Sequence, residues 1–144
     1  MNDFVIAEGV LIRYTGTGGD VIVPDGIRVI GDSAFSDCAA LRHVTLPDSL
    51  LHIGAYAFYD CIGLEAITVP FNTTQIGAEA FSGCVKLIRV TLPVALSHVG
   101  MMAFAFCPAL TFMEYRGSKT DWQGIRIDAY NDCLLTATHM YESE

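Results

Sequence analysis

Five cysteines are the residues of this sequence best suited to chemistry. Four of them recur every 23 residues and a fifth lies near the C-terminus: Cys38, Cys61, Cys84, Cys107 and Cys133. Zinc sites take Cys and His ligands at short local spacings such as C-x-x-C, and no such spacing occurs here. An odd number of cysteines cannot form a complete set of disulfides. We therefore expect buried, reduced thiols that act as small apolar side chains.

The other reactive side chains do not form a recognisable catalytic or metal-binding pattern. His52 and His98 occupy equivalent positions, but they lie two 23-residue steps apart, which is too far for one metal ion. Hydrolytic catalysis needs a nucleophile, a base and an orienting group that converge, and no such set is present. The aspartates are spread along the chain without an acidic calcium loop. The sequence thus predicts no enzyme, no catalytic residue, no metal site and no cofactor.

Charge and hydropathy limit the classes of partner. The 144 residues carry 8 Lys+Arg and 16 Asp+Glu, a formal net charge of −8, which disfavours binding to nucleic acid phosphates. The longest apolar run, Val99 to Phe106, is far shorter than the roughly 20 residues of a membrane span, so membrane insertion is not expected. The N-terminal residues do not form a secretory signal. As written, the chain is expected to be cytoplasmic; if a signal was removed, it belongs on the cell surface or outside the cell.

A 23-residue repeat is the element that must position all these side chains. Six residue types recur at the same position, or column, in all four copies. One column holds the first four cysteines. The other five columns are Pro24, Pro47, Pro70 and Pro93; Gly31, Gly54, Gly77 and Gly100; Ala34, Ala57, Ala80 and Ala103; Phe35, Phe58, Phe81 and Phe104; and Leu41, Leu64, Leu87 and Leu110. Chance does not produce such identity, so the chain is a repeat protein.

Each repeat reads as one coil of a solenoid. Val44 to Leu46 alternates like a short strand that Pro47 ends. Gly54 is expected to allow a turn conformation that a Cβ would penalise. Phe58 and Cys61, three residues apart, suit a tight helical or 3-10 turn with both side chains facing inward. Such a coil cannot bury its inner face alone, whereas stacked coils share one core.

The sequence therefore predicts a mainly β repeat solenoid with parallel strands stacked along one face. Four repeats span residues 24–115. Residues 1–23 form an N-terminal cap, a short meander, and residues 116–144 form a C-terminal cap that ends in a strand at 136–141. The whole chain is one structural domain.

These residues resemble the BspA-like class of bacterial leucine-rich repeats. The similarity rests on the pattern that runs from Leu41 through Leu46-Pro47, Ile53-Gly54 and Ala57-Phe58 to Cys61. The opening residues 4–16 and the closing residues 115–122 resemble the entry and exit segments of the same family. The resemblance implies a right-handed leucine-rich-repeat solenoid and a surface or secreted protein that binds other proteins.

We expect a non-catalytic protein-interaction module whose contacts lie on outward strand positions. Those candidate contacts are Arg42, His43, Thr45, Thr68, Arg89, Thr91, Phe112 and Glu114. A rigid sheet loses little ordering entropy on docking, so it suits recognition. Two alternatives stay open: a structural unit that self-associates, and a carbohydrate-binding surface module that uses aromatic side chains such as Tyr56 and Tyr59.

Polarity falls from the first repeat to the fourth. The columns that hold Asp32, Ser33 and Asp37 in the first repeat end in three large apolar residues, Met101, Met102 and Phe106. The C-terminal cap covers this region, or the region is an exposed patch for a partner or for self-association. We therefore add Met101, Met102 and Phe106 to the candidate contacts.

Overall fold

The structure, a computed structural model, describes residues 2–143 and consists of short strands joined by turns. The strands on one side of the coils are β3 (Gly19–Ile22), β5 (Leu41–Thr45), β7 (Ala66–Thr68), β9 (Arg89–Leu92), β11 (Phe112–Ser118) and β13 (Thr138–Ser143). The others are β1 (Phe4–Ala7), β2 (Val10–Tyr14), β4 (Val29–Ile30), β6 (His52–Ile53), β8 (Gln75–Ile76), β10 (His98–Val99) and β12 (Arg126–Ile127). Two short helices, α1 (Lys119–Gln123) and α2 (Asp132–Thr136), lie near the C-terminus. Within residues 2–143, neither helix has the length and apolar character needed to cross a bilayer.

The strands stack in parallel, as the repeat predicts. The second group forms a seven-stranded sheet in the order β1-β2-β4-β6-β8-β10-β12, parallel except for the β1–β2 hairpin. The first group, which we call the strand face, comprises the pair β3-β5 and the set β7-β9-β11-β13, all parallel. Equivalent residues lie side by side, as Val90 and Met113 do. The predicted solenoid with parallel stacked strands is confirmed, and it has about six turns.

The inner faces of the coils form a continuous core. Phe35, Phe58, Phe81 and Phe104 are almost fully buried, and successive ring centroids lie 4.9, 5.1 and 5.1 Å apart in nearly parallel planes. Tyr14, in the N-terminal cap, continues this stack 5.0 Å from Phe35. Each coil therefore buries its aromatic ring against the rings of its neighbours, as expected from equivalent residues in register.

The glycine column has a different cause from the one expected. A turn conformation was predicted for Gly54, but its φ is not in the left-handed region. The glycines are instead required by the distance between coils. A Cβ on Gly77 would lie 2.6 Å from the amide nitrogen of Ala55, and one on Gly100 would lie 2.5 Å from that of Ala78. Any side chain here would push neighbouring coils apart.

The segments after the glycines are hydrogen-bonded turns and not helices. The amide of Cys61 donates to the carbonyl oxygen of Phe58 at 3.2 Å, as in a 3-10 turn. The turn does not propagate because Asp60, between them, has a φ of 54°. The corresponding left-handed residues in the other repeats are Asp37, Gly83 and Phe106.

Both flanks continue the stacking of the repeats. In the N-terminal flank, β2 places Leu11 beside Ile30, and in the C-terminal flank, β12 places Ile127 beside Val99. The final strand, predicted at 136–141, begins at Thr138 because Thr136 closes α2, donating its hydroxyl to the carbonyl oxygen of Asp132 at 2.8 Å. The division into four repeats and two caps stays a prediction.

Candidate binding groove on the strand face

The outward strand positions differ in how accessible they are. Arg42, His43, Thr45, Thr68 and Arg89 are exposed. Phe112 and Glu114 are half-buried, since β13 packs beside β11. Thr91 is only 4% exposed, and its hydroxyl donates to Oε1 of Glu114 at 3.3 Å. Although Thr91 points outward in register with Thr68, it therefore offers little surface to a partner.

The exposed charges at the N-terminal end of the strand face pair with one another. His43 Nδ1 lies 2.9 Å from Oδ1 of Asp20, and His43 Nε2 lies 3.5 Å from Oε1 of Glu65. Arg42 Nη2 donates to Oε2 of Glu65 at 3.2 Å. Further along, the Arg89 guanidinium lies 5.1 Å from the centroid of the Phe112 ring, a cation–π contact. With the Thr91–Glu114 hydrogen bond, six of the predicted contact side chains thus interact with neighbouring side chains.

The backbone ladder of the strand face is interrupted between β5 and β7. These strands are adjacent, but they belong to separate sheets, whereas β7 pairs with β9 through three residues. A backbone hydrogen bond at the start of the two strands, from the amide of Glu65 to the carbonyl of Arg42, measures 3.1 Å. Beyond it the two strands do not pair within residues 2–143, and a groove lies on the surface there.

The groove has a volume of about 570 Å³ and brings together side chains from several successive repeats. Its lining residues are His43, Val44, Thr45, Leu46, Asp48, Ala66, Ile67, Thr68, Val69, Pro70, Phe71, Pro93 and Arg116. The floor is apolar because Val44, Leu46, Ile67 and Val69 belong to the core. Three predicted contacts, His43, Thr45 and Thr68, line it, while Arg42, Arg89 and Glu114 do not.

Three exposed residues of the groove were not predicted as contacts: Asp48, Phe71 and Arg116. Two of them, Phe71 and Arg116, differ in type from the residues at equivalent positions of other repeats, and this difference could have identified them. Phe71 follows Pro70 at a position that is aspartate in the first two repeats, Asp25 and Asp48, and its ring is 61% exposed. Arg116 stands where the proline column would continue. A large exposed aromatic residue and an arginine that break two regular columns are typical of a contact surface.

The thiols are reduced and mostly buried, as predicted. All five cysteines are free, and Cys61, Cys84 and Cys107 are buried. These three donate their thiol hydrogens to the carbonyl oxygens of Phe35, Phe58 and Phe81 at 3.1, 3.2 and 3.2 Å. Burial raises the pKa of Cys61 and Cys107 to about 12 and that of Cys84 further. Such thiols are poor nucleophiles and metal ligands at neutral pH.

The apolar region of the fourth repeat is covered only in part. The C-terminal flank passes beside Met102, whose amide donates to the carbonyl of Ala129 at 3.0 Å. Met101 and Phe106 nevertheless stay 49% and 67% exposed. Phe106 borders a cavity of about 350 Å³ that is lined by Met102, Ala105, Phe106, Tyr130, Asp132 and Cys133. The C-terminal flank thus covers Met102 in part and leaves Met101 and Phe106 exposed.

Metal-ligating side chains do not converge in the part of the chain that the structure describes. Residues 2–143 contain no group of three or more His, Cys, Asp or Glu that could hold a metal ion. His98 Nε2 instead lies 2.8 Å from Oδ2 of Asp128, and this contact lowers the pKa of the Asp128 carboxyl. The aromatic pair Tyr56 and Tyr59 meets edge to face, 5.3 Å between centroids, and does not form a flat stacking platform.

A known sequence pattern matches most of the chain. The pattern described as "BspA type Leucine rich repeat region" matches residues 14–136 in six copies. Among curated proteins, no sequence matches the chain significantly.

Several solved structures share the fold. A leucine rich cell surface protein from Faecalibacterium prausnitzii is 32% identical over 83% of this chain and 38% of its own, with a TM-score of 0.62. A leucine-rich repeat protein from Eubacterium ventriosum is 21% identical over 99% of this chain and 40% of its own, with a TM-score of 0.76. The pneumococcal vaccine antigen PcpA is 20% identical over 87% of this chain and 35% of its own, with a TM-score of 0.63. The chain therefore spans about two fifths or less of the length of these three proteins.

Proposed function

Because this chain belongs to the BspA-type leucine-rich repeat family, we propose that it is a non-catalytic protein-binding module and that the strand-face groove receives the partner. The observation that carries the proposal is the groove itself. An apolar floor built from core residues meets an exposed Phe71 ring and two exposed charges, Asp48 and Arg116. Interfaces concentrate their binding energy in such aromatic and arginine side chains, next to apolar pockets.

The solenoid suits this role because its surface is rigid. The walls of the groove come from successive coils, and each coil is fixed by the Phe stack and by the seven-stranded sheet. A partner that docks there orders few side chains, so little of the interaction energy is lost as entropy.

We propose that this module works at the cell surface. The supporting observation is the Faecalibacterium relative, which is described as a cell surface protein and matches 83% of this chain.

Affinity capture followed by titration tests the proposed function. The immobilised chain captures proteins from an extract, and the leading candidate is identified, produced and titrated by calorimetry. Phe71→Ser should raise Kd at least about tenfold, the usual effect of removing a central aromatic contact. Ile62→Ser removes a similarly exposed apolar residue outside the groove and should leave Kd within about twofold.

Equal affinities for the two variants would contradict the proposal, as would the lack of any saturable binding. In either case the groove is not the interface.

Self-association is a second candidate function, favoured by the exposed Phe106. Its ring is 67% exposed and borders the cavity of the fourth repeat. Light scattering should then report a dimer that Phe106→Ser dissociates and that Ile62→Ser leaves intact. A monomeric wild-type chain at all concentrations would exclude this candidate.

A further inference from the structure

The two free charges of the groove lie at opposite ends of it. Within residues 2–143, the Asp48 carboxylate has no hydrogen-bond or ion-pair partner, and neither does the Arg116 guanidinium. The Asp48 contact to Asn72 involves its backbone carbonyl, at 3.4 Å. The third charged lining residue, His43, is already paired with Asp20 and Glu65. A partner can therefore form an ion pair with the negative Asp48 and another with the positive Arg116.

The repeat fixes the distance between these sites. Arg116 occupies the column of Pro47, Pro70 and Pro93, and Asp48 follows Pro47 directly, so the two charged residues are three coils apart. Strands in a sheet are about 4.8 Å apart, which places the charges roughly 14 Å apart along the stack. Pro70, Pro93 and the exposed Phe71 ring lie between them.

An extended peptide matches this arrangement. Residues i, i+2 and i+4 of a strand point to one side, and at about 3.4 Å per residue the outer two are roughly 14 Å apart. A segment with a basic residue at one end, an acidic residue at the other and an apolar residue between them would place its outer side chains against Asp48 and Arg116. Its apolar side chain would lie against the broad Phe71 ring, which is one coil from Asp48 and two coils from Arg116.

We propose that the groove binds an extended peptide segment of this pattern, lying along the solenoid axis across the strands. This inference rests on the proposed function and specifies its partner. The apolar residue supplies the buried contact against Phe71. The two charges supply selectivity and orientation more than affinity, because both ends of the groove are open to solvent.

Four acetylated, amidated pentapeptides test the pattern by amide chemical-shift titration. Lys-Ala-Leu-Ala-Glu carries the whole pattern, Lys-Ala-Ser-Ala-Glu lacks the apolar residue, and Lys-Ala-Leu-Ala-Lys and Glu-Ala-Leu-Ala-Glu each replace one charge. Wild-type protein should bind the first with a Kd of about 1 mM, typical of so short a ligand, and the others at least about fivefold more weakly. The shifted amides should lie in β5, β7 and the Pro70–Phe71 turn.

Charge reversal should change the preference in opposite directions. Asp48→Lys should make Glu-Ala-Leu-Ala-Glu the preferred peptide, and Arg116→Glu should make Lys-Ala-Leu-Ala-Lys the preferred one. Matched controls have the same charge change outside the groove: Asp25→Lys, one repeat earlier in the Asp48 column, and Lys119→Glu, three residues after Arg116. Both controls should keep the wild-type preference.

Three results would overturn the inference: equal binding of all four peptides, unchanged preferences in both reversal variants, or no groove shifts up to about 5 mM peptide. If Phe71→Ser still weakens the binding of a captured protein in that case, the proposed function stands and only the peptide pattern is wrong. If Phe71→Ser has no effect on capture either, both fail.

Discussion

Asn131 replaces a backbone carbonyl of the repeats with its side chain, in the C-terminal flank that follows the fourth repeat. In the repeats, the amide of each core Phe donates to a carbonyl of the next coil, as Phe81 does to Ala103 at 2.7 Å. Beyond Phe104 the C-terminal flank offers a side chain in place of that carbonyl, and the Phe104 amide donates to Oδ1 of Asn131 at 2.9 Å. The Asn131 amide group donates to the carbonyls of Gly100 and Asp128 at 3.0 and 2.9 Å. One buried side chain thus satisfies three backbone groups.

Asn131→Ala should lower the free energy of unfolding by about 2–3 kcal/mol, because it leaves buried backbone groups without partners. Urea denaturation followed by circular dichroism measures the loss. Asn72→Ala removes an exposed amide with one long contact of 3.4 Å and should cost less than about 0.5 kcal/mol. Similar losses for both variants would show that Asn131 is not a cap.

The buried thiols should make stability depend on alkaline pH. Below pH 9 a thiol is protonated in both folded and unfolded chains, so its burial adds no pH dependence. Above the ordinary thiol pKa of 9.0 the unfolded chain loses thiol protons that the folded chain keeps, because burial raises the pKa of Cys61, Cys84 and Cys107. The free energy of unfolding should therefore fall as pH rises from 9 toward 12, approaching about 1.4 kcal/mol per pH unit for each thiol.

Urea denaturation between about pH 8.5 and 9.5 measures this slope while most phenols, whose ordinary pKa is 10.0, are still protonated. Cys84→Ala should reduce it by about a quarter to a third, since burial raises the pKa of Cys38 as well as those of the three fully buried thiols. Ser82→Ala, a buried substitution that removes no thiol, is the control and should leave the slope almost unchanged. A wild-type slope of zero would mean that the thiols ionise in the folded chain as well.

At the scale of the element, the turns impose left-handed backbone at fixed columns, and the sequence does not always supply a suitable residue. The column of Asp37, Asp60 and Gly83 ends in Phe106, whose φ is 55°. Asp and Gly tolerate this conformation, whereas a bulky side chain in it costs roughly 1–2 kcal/mol. Phe106 has little burial to offset the cost, because its ring is 67% exposed.

Phe106→Gly should therefore raise the free energy of unfolding by about 1 kcal/mol, by relieving the left-handed strain with little loss of packing. Chemical denaturation measures the change. Met101→Gly replaces a similarly exposed neighbour whose φ is not positive, and it should not stabilise the chain. A destabilised Phe106→Gly variant would show that the ring contributes packing that outweighs the strain.

For the whole molecule, stability comes from coils that contact only their neighbours. Side chains and backbone bond at steps of one coil, as in the pairs Phe58–Phe81 and Arg42–Glu65. A coil inserted in register should therefore be accepted by the stack as one more equivalent layer.

Duplicating residues 70–92 after Leu92 should give a folded chain that is more stable by about 1–3 kcal/mol. Its urea m value should rise by roughly a sixth, in proportion to the added chain. Denaturation curves of the two chains measure both quantities. An insert of the same 23 residues in shuffled order should destabilise the chain, and the prediction is wrong if the two inserts behave alike.

The repeat itself was predictable because identical columns report which side chains face the core. Phe35 to Phe104, the free thiols and the parallel strands all follow from that periodicity. The groove was not predictable in the same way, since it arises where β5 and β7 fail to pair, and the periodicity predicts equal spacing for every pair. Phe71 and Arg116 differ from the residues at equivalent repeat positions, but the sequence did not show that both line the same groove.

The interruption between β5 and β7 also has a mechanical consequence. A force that pulls the two ends of the solenoid apart acts perpendicular to the strands. The backbone hydrogen bonds between two neighbouring coils then break one after another. At this interface the strand face offers the Glu65–Arg42 backbone bond and side-chain packing, while the pair β4–β6 joins the same two coils in the second sheet. Under tension the molecule should separate first at this interface, between a segment that ends near Thr45 and one that begins near Pro47 and includes β6 and β7.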